Sequence, residues 1–123
     1  MLKIFLVFVG GGLGATSRYL LTTFLAGRIG NFPLGTLTIN ILGSFFMGIV
    51  VGILAGKSNL ELYRLFIAVG FLGGFTTLSS FFSETLTLIN AGQLYSLTVS
   101  VFGNLVVAFF ACLIGLKISQ IIF

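Results

Sequence analysis

The chain has 123 residues, 58% of them hydrophobic, 15% aromatic and only 7% charged, with a net charge of +4. A domain surrounded by water carries roughly 25% charged residues, so these proportions exclude a soluble enzyme or a DNA-binding domain. The six basic residues are scattered singly and form no cluster that could track phosphates.

Lys3 followed by Ile4–Val9 mimics the start of a signal peptide, but no good small-x-small cleavage site follows before Arg18. The first segment, about residues 2–26, therefore reads as a transmembrane helix. Gly27-Arg28-Ile29-Gly30-Asn31-Phe32-Pro33 has strong breaker content and forms a turn. A second helix is expected over about 33–55, with Pro33 suited to its first position. No charge occurs from Leu34 to Gly56, a run of 23 residues. Gly56-Lys57-Ser58-Asn59 is the next turn, and Ser58 with Glu61 three residues on reads as a capping box. It opens a third segment over about 60–89; Asn90-Ala91-Gly92-Gln93 then leads to a fourth over about 94–122. The fourth span helps to make a 32-residue uncharged run from Thr85 to Leu116. Each segment has at least ~20 residues, enough to cross ~30 Å of hydrocarbon at 1.5 Å per residue. The expected fold is one all-α membrane domain of four transmembrane helices over residues 1–123, with both termini on one side. That side carries Lys3, Lys57, Arg64 and Lys117, against Arg28 and Arg18 on the other. The positive-inside rule turns the termini to the cytoplasm, by a margin small enough to allow dual insertion.

Glycine is abundant, 17 of 123 residues, and recurs at helical spacing. Gly10 and Gly14, Gly70 and Gly74, and Ala111 and Gly115 are each four apart. Ser44, Gly48, Gly52 and Gly56 continue the same stripe down the second helix. Small residues four apart let helix backbones approach closely in lipid, where no hydrophobic force drives them together. Four such helices pack tightly but hardly enclose a pore, so an oligomer is expected, most simply a dimer. Histidine is absent and Cys112 is the only cysteine. That excludes an intrachain disulfide, a Cys/His metal site and histidine acid–base chemistry.

The chemistry concentrates in Gly70–Glu84, GFLGGFTTLSSFFSE. Two adjacent glycines followed by two threonines continue a helix poorly, and the simplest reading is a break inside the membrane. Carbonyls freed there must be satisfied by protein, water or an ion, and broken membrane helices often hold ion sites. Beyond the break, Thr76, Ser79, Ser80 and Ser83 fall at i, i+3, i+4 and i+7 and predict a hydroxyl face. Thr77, Phe81 and Glu84 predict a second stripe. Arg18 and Glu84 lie inside spans, where a charge costs about 2.5–3.5 kcal/mol on insertion scales. Asn40 and Asn104 are side-chain amides within the second and fourth spans. Each of these residues suits a polar path, and each also suits an ordinary role: snorkelling for Arg18, a pair or a headgroup position for Glu84, an interhelical hydrogen bond for the amides. With no lysine in mid-membrane, an anion path would rely on Asn, Ser and Thr donors and on the positive edges of phenylalanine rings.

In this order on successive helices, GGGLGATSRY (Gly10–Tyr19), GTLTINILGSFFMG (Gly35–Gly48) and GFLGGFTTLSSFFSE (Gly70–Glu84) resemble the small bacterial fluoride channels of the Fluc/CrcB family. The resemblance covers essentially the whole chain. It implies a four-helix subunit whose third helix breaks near the membrane centre, paired in an antiparallel, dual-topology dimer in the cell inner membrane or plasma membrane. It implies two pores at the subunit interfaces through which cytoplasmic fluoride leaves passively, and a structural sodium ion (Na+) between the two breaks. By that resemblance, the carbonyls of Gly73 and Thr76 hold the sodium ion, and Asn40 faces the pore as a donor. Phe81, Thr77, Ser80 and Asn104 join it along the path, with Arg18 and Glu84 in the polar pathway or vestibule. The chain departs from the family at Leu78, where a phenylalanine is common, and at Phe82, where a serine is expected. Ala108 and Cys112 stand where hydroxyls often occur. These departures suit one half of a heterodimer with a related subunit, while the intact sodium motif suits a homodimer.

Two competing classes fit the same pattern. A proton-coupled exporter of the small multidrug type also has four helices and dual topology, but depends on a first-helix glutamate; here that helix holds Arg18 and no acid. A non-transporting membrane scaffold would tolerate changes across Thr76–Ser83. An enzyme is not expected, since no nucleophile–base pair is in evidence.

Overall fold

The computed structural model describes every residue from Met1 to Phe123. It is all-helical, with four helices long and apolar enough to cross a membrane: α1 (Leu2–Leu25), α2 (Leu34–Leu54), α3 (Ser58–Asn90) and α4 (Leu94–Ile122). Large apolar side chains such as Phe5, Phe8, Phe24, Phe109 and Ile121 are exposed on the outside of the helix bundle. Such a surface is untenable in water and natural in lipid.

The ends of the helices follow local chemistry. Pro33 stands just before α2 rather than in it, and its carbonyl accepts the Leu37 N–H. α3 closes in a Schellman turn: the Gln93 N–H reaches the Leu88 carbonyl and the Gly92 N–H the Ile89 carbonyl, with Gly92 at φ +66°. The expected capping box at Ser58 is absent. α3 opens instead with a 3-10 turn, Ser58–Leu60, that has no side-chain cap. The Glu61 carboxylate takes Lys3 Nζ of α1 at 2.9 Å. A full positive charge from a neighbouring helix outbids a neutral backbone N–H.

Packing is pairwise. α1 lies chiefly against the first half of α3, and α2 chiefly against α4. Glycine governs both contacts. A Cβ on Gly10 or Gly14 would enter the backbone of Phe66 or Phe71, and one on Gly48 or Gly115 would enter that of Cys112 or Phe45. The four-residue stripes are therefore backbone-to-backbone seams.

Two stretches depart from α-helical winding. Arg64–Leu72 in α3 and Gly103–Val107 in α4 are π-helical. The first runs directly into a short α-turn, Gly73–Phe75, after which Thr76 is extended (φ −76°, ψ 156°) and the helix stops. It resumes as Ser79–Asn90. The break stands where the Gly-Gly-Phe-Thr-Thr run predicts it.

Candidate functional site

One face of α2 organises the break. Thr36, Asn40 and Gly43 are four and three residues apart, so they share a stripe, and each meets the second half of α3 or the break itself. Asn40 makes a two-point contact with the peptide of Thr77: its Oδ1 accepts the Thr77 N–H at 2.9 Å and its Nδ2 donates to the Thr77 carbonyl at 2.9 Å. Gly43 leaves the room that the Thr76 methyl and the Phe75 ring occupy. Thr36 donates to Glu84 Oε1 at 2.7 Å.

The second N–H of Asn40 goes to α4. It donates to Asn104 Oδ1 at 2.7 Å, and Asn104 Nδ2 in turn donates to the Ser100 carbonyl at 2.9 Å. Ser100 is fully buried. A polar chain thus links α4, α2 and the break in α3 through the middle of the helix bundle. Unpaired amides would be costly there, and both Asn40 and Asn104 have partners.

Thr77 caps the resumed helix. Its Oγ1 accepts the Ser80 N–H at 3.2 Å and donates to Ser80 Oγ at 3.2 Å. Arg18 approaches from α1, half-buried, with Nη1 3.4 Å from the Thr76 carbonyl. Glu84 Oε2 is buried without a hydrogen-bond partner. Its carboxyl borders an open cavity of about 280 Å³ lined by Thr22, Gly30, Pro33 and Thr36.

The carbonyls of the break bear on the sodium expectation. The Thr77 N–H would complete an unbroken helix at the Gly73 carbonyl, yet it goes to Asn40. Gly73 is exposed on the wall of a groove of about 530 Å³ shared with Met47, Val50, Val51 and Ala55. The donors on offer are neutral, hard oxygens of the class an alkali cation takes, and the Gly73 oxygen lacks its helical partner. The Thr76 oxygen is already approached by the Arg18 guanidinium, which any cation there would have to share.

Asn40, Thr77, Ser80 and Asn104 are thus drawn into one network, with Arg18 level with the break and Glu84 two turns beyond it on α3. The expected hydroxyl face is not continuous. Thr76 is itself extended, so its angular register with the resumed helix is lost, while Ser79 and Ser83 are exposed on the outside of the bundle. The inward stripe is Thr77, Phe81, Glu84 and Leu88, with Phe81 only 2% exposed. Its neighbours Leu78 and Phe82 are 60% and 54% exposed. Thr36, Gly43 and Ser100 were not singled out from the sequence. The spacing of the first two from Asn40, and of Ser100 from Asn104, was the available signal.

Comparison with known proteins gives this geometry a family. The sequence model described as "CrcB-like protein, Camphor Resistance (CrcB)" matches residues 5–116. A protein of Methanosarcina acetivorans named fluoride-specific ion channel FluC 1 is 38% identical, over 98% of this chain and 92% of its own. Fluoride-specific ion channels FluC of Agrobacterium fabrum and Sphingopyxis alaskensis are 40% and 42% identical, the first over the full length of both chains, the second over 94% of each. With four helices able to span a membrane and a family match over nearly its whole length, the chain is a multi-pass membrane protein that belongs to the CrcB family.

Proposed function

We propose that this chain forms a fluoride-selective channel through which cytoplasmic fluoride leaves passively down its gradient. The observation that carries the reading is the polar network at the break: Asn40, Thr77, Ser80 and Asn104 supply neutral donors in mid-membrane with no lysine among them. Fluoride is strongly hydrated, so a narrow path must replace its water donors with fixed ones as it sheds them. Neutral amides and hydroxyls can do so without trapping the ion as a full positive charge would. Phe81, on the inward stripe with Thr77, would add the positive edge of its ring. Arg18 and Glu84 would set the field at the approaches, with Glu84 at the cavity below the Gly27–Pro33 loop.

The working unit in this reading is an antiparallel dimer with its pores at the subunit interfaces. The exposure of Ser79 and Ser83 supports it, since hydroxyls on the outside of a membrane subunit call for a partner or a water path. The Gly73 and Thr76 carbonyls would hold a sodium ion between two copies, each chain giving half of the donors. When bound, that ion supplies a fixed positive charge at the dimer centre. The exposed Leu78 and Phe82 also suit pairing with a related subunit that carries different residues at those positions.

The test is efflux from liposomes that contain this chain alone. Fluoride should leave rapidly, and chloride hardly at all. Equal chloride flux removes selectivity. No flux from this chain, with recovery when a related subunit is co-expressed, assigns it to a heterodimer.

A further inference from the structure

The hydrogen bonds of Asn40 leave it no free donor. Its orientation is fixed by the two-point contact with Thr77, because only one placement of its amide lets Oδ1 meet an N–H and Nδ2 meet a carbonyl. Nδ2 has two hydrogens. One is held by the Thr77 carbonyl and the other by Asn104 Oδ1 at 2.7 Å. An anion that takes a hydrogen bond from Asn40 must therefore displace one of these acceptors. Displacing Thr77 would break a paired contact and loosen the end of α3. Displacing Asn104 breaks a single bond, and Asn104 stays anchored through Nδ2 to the Ser100 carbonyl.

We infer that Asn104 is an internal competitor for the transported anion, whose side-chain oxygen occupies the Asn40 donor until an anion takes its place. The inference rests on the fluoride reading above and deepens it. An anion is the stronger acceptor, since hydrogen bonds to charged groups are about twice as strong as neutral ones, so the exchange runs forward when fluoride arrives. It runs back when fluoride leaves, and Asn40 is never left unpaired. Asn104 is thus a positioning residue that sets how tightly the site holds its ion.

Two measurements test it. The first follows the side-chain amide resonances of Asn40 and Asn104 in the 15N-asparagine-labelled chain, in micelles, while sodium fluoride or sodium chloride is added. Fluoride should shift both amides and chloride neither. A shift at Asn40 with Asn104 unmoved, or no shift at either, overturns the inference. The second compares the fluoride concentration at half-maximal liposome flux. Asn104→Ala removes the competitor and should lower that concentration several-fold, while Asn104→Asp installs a charged competitor and should raise it about tenfold or more. Asn104→Ser, too short to reach Asn40, should behave as Asn104→Ala and replaces it if that variant does not fold. A purely structural brace predicts that all three shift the melting temperature and leave half-saturation unmoved, which would overturn the inference. Wild-type vesicles that carry no fluoride, in the presence of the amide shifts, would end the transport reading and leave the exchange standing.

Discussion

Asn40 is bound on three sides, and its substitution tests what those bonds do. In Asn40→Asp the carboxylate still accepts the Thr77 N–H, but the donors to the Thr77 carbonyl and to Asn104 are gone. Two buried acceptors are then left facing a negative charge. Leaving a buried polar group unsatisfied costs about 1–3 kcal/mol, so the variant should melt at lower temperature and its fluoride efflux should fall at least about tenfold. A fluoride electrode on loaded liposomes and thermal unfolding in detergent read the two effects. The adjacent phenylalanines separate path from surface. Phe81 is buried and Phe82 exposed, so Phe81→Ile should cost about 1–3 kcal/mol and lower flux while dimers still assemble. Phe82→Ser, whose exposed ring meets only the neighbouring Phe81 ring at 5.2 Å between centroids, should cost no more than about 1 kcal/mol. Unchanged flux in Phe81→Ile would take that ring out of the path.

At the scale of helices, the seams make a sharper forecast than composition does. Gly12 and Gly14 lie two residues apart on α1, but a Cβ at Gly12 meets nothing within 4 Å while one at Gly14 runs into the Phe71 carbonyl. Gly14→Ala should therefore destabilise by about 1–3 kcal/mol through forced separation of α1 and α3. Gly12→Ala should be neutral or gain up to about 1 kcal/mol from helix propensity. Thermal unfolding of both variants checks the pair. The same contrast explains what the sequence disclosed. The four spans and the break were legible because lipid forces every spanning backbone into long apolar helices and leaves Gly-Gly-Phe-Thr-Thr as a visible interruption. The glycine stripes at Gly10/Gly14 and Gly48 were legible for the same reason. The Ser58–Glu61 capping box failed because Lys3, distant in sequence, claims the carboxylate. The hydroxyl face failed because a helical wheel carries no register across an extended Thr76. The pairing of Asn40 with the Thr77 peptide, 37 residues away, depends on how α2 and α3 meet and leaves no local mark.

For the whole molecule, the proposed antiparallel arrangement makes a geometric demand that a parallel one does not. A two-fold axis in the membrane plane brings together only residues close to that plane, and separates copies of every residue near an end. Gly73 and Ala55 line the same exposed groove, but Gly73 stands at the break while Ala55 terminates α2. Ala55 is 15 residues past Asn40, which pairs with the break, so it lies about 20 Å away along the helix axis at 1.5 Å per residue. Across an antiparallel pair, two copies of Ala55 are then roughly 40 Å apart, far beyond the ~7 Å between Cα atoms that a disulfide can bridge. Cys112 is the only native thiol, so a Cys112→Ala background leaves one cysteine to be placed. Gly73→Cys should cross-link on mild oxidation in membranes, and Ala55→Cys should not. A parallel pair joined along this groove would cross-link at both positions, because each residue then faces its own copy. That result would reject the head-to-tail dimer and, with it, a sodium site built from two opposed sets of Gly73 and Thr76 carbonyls.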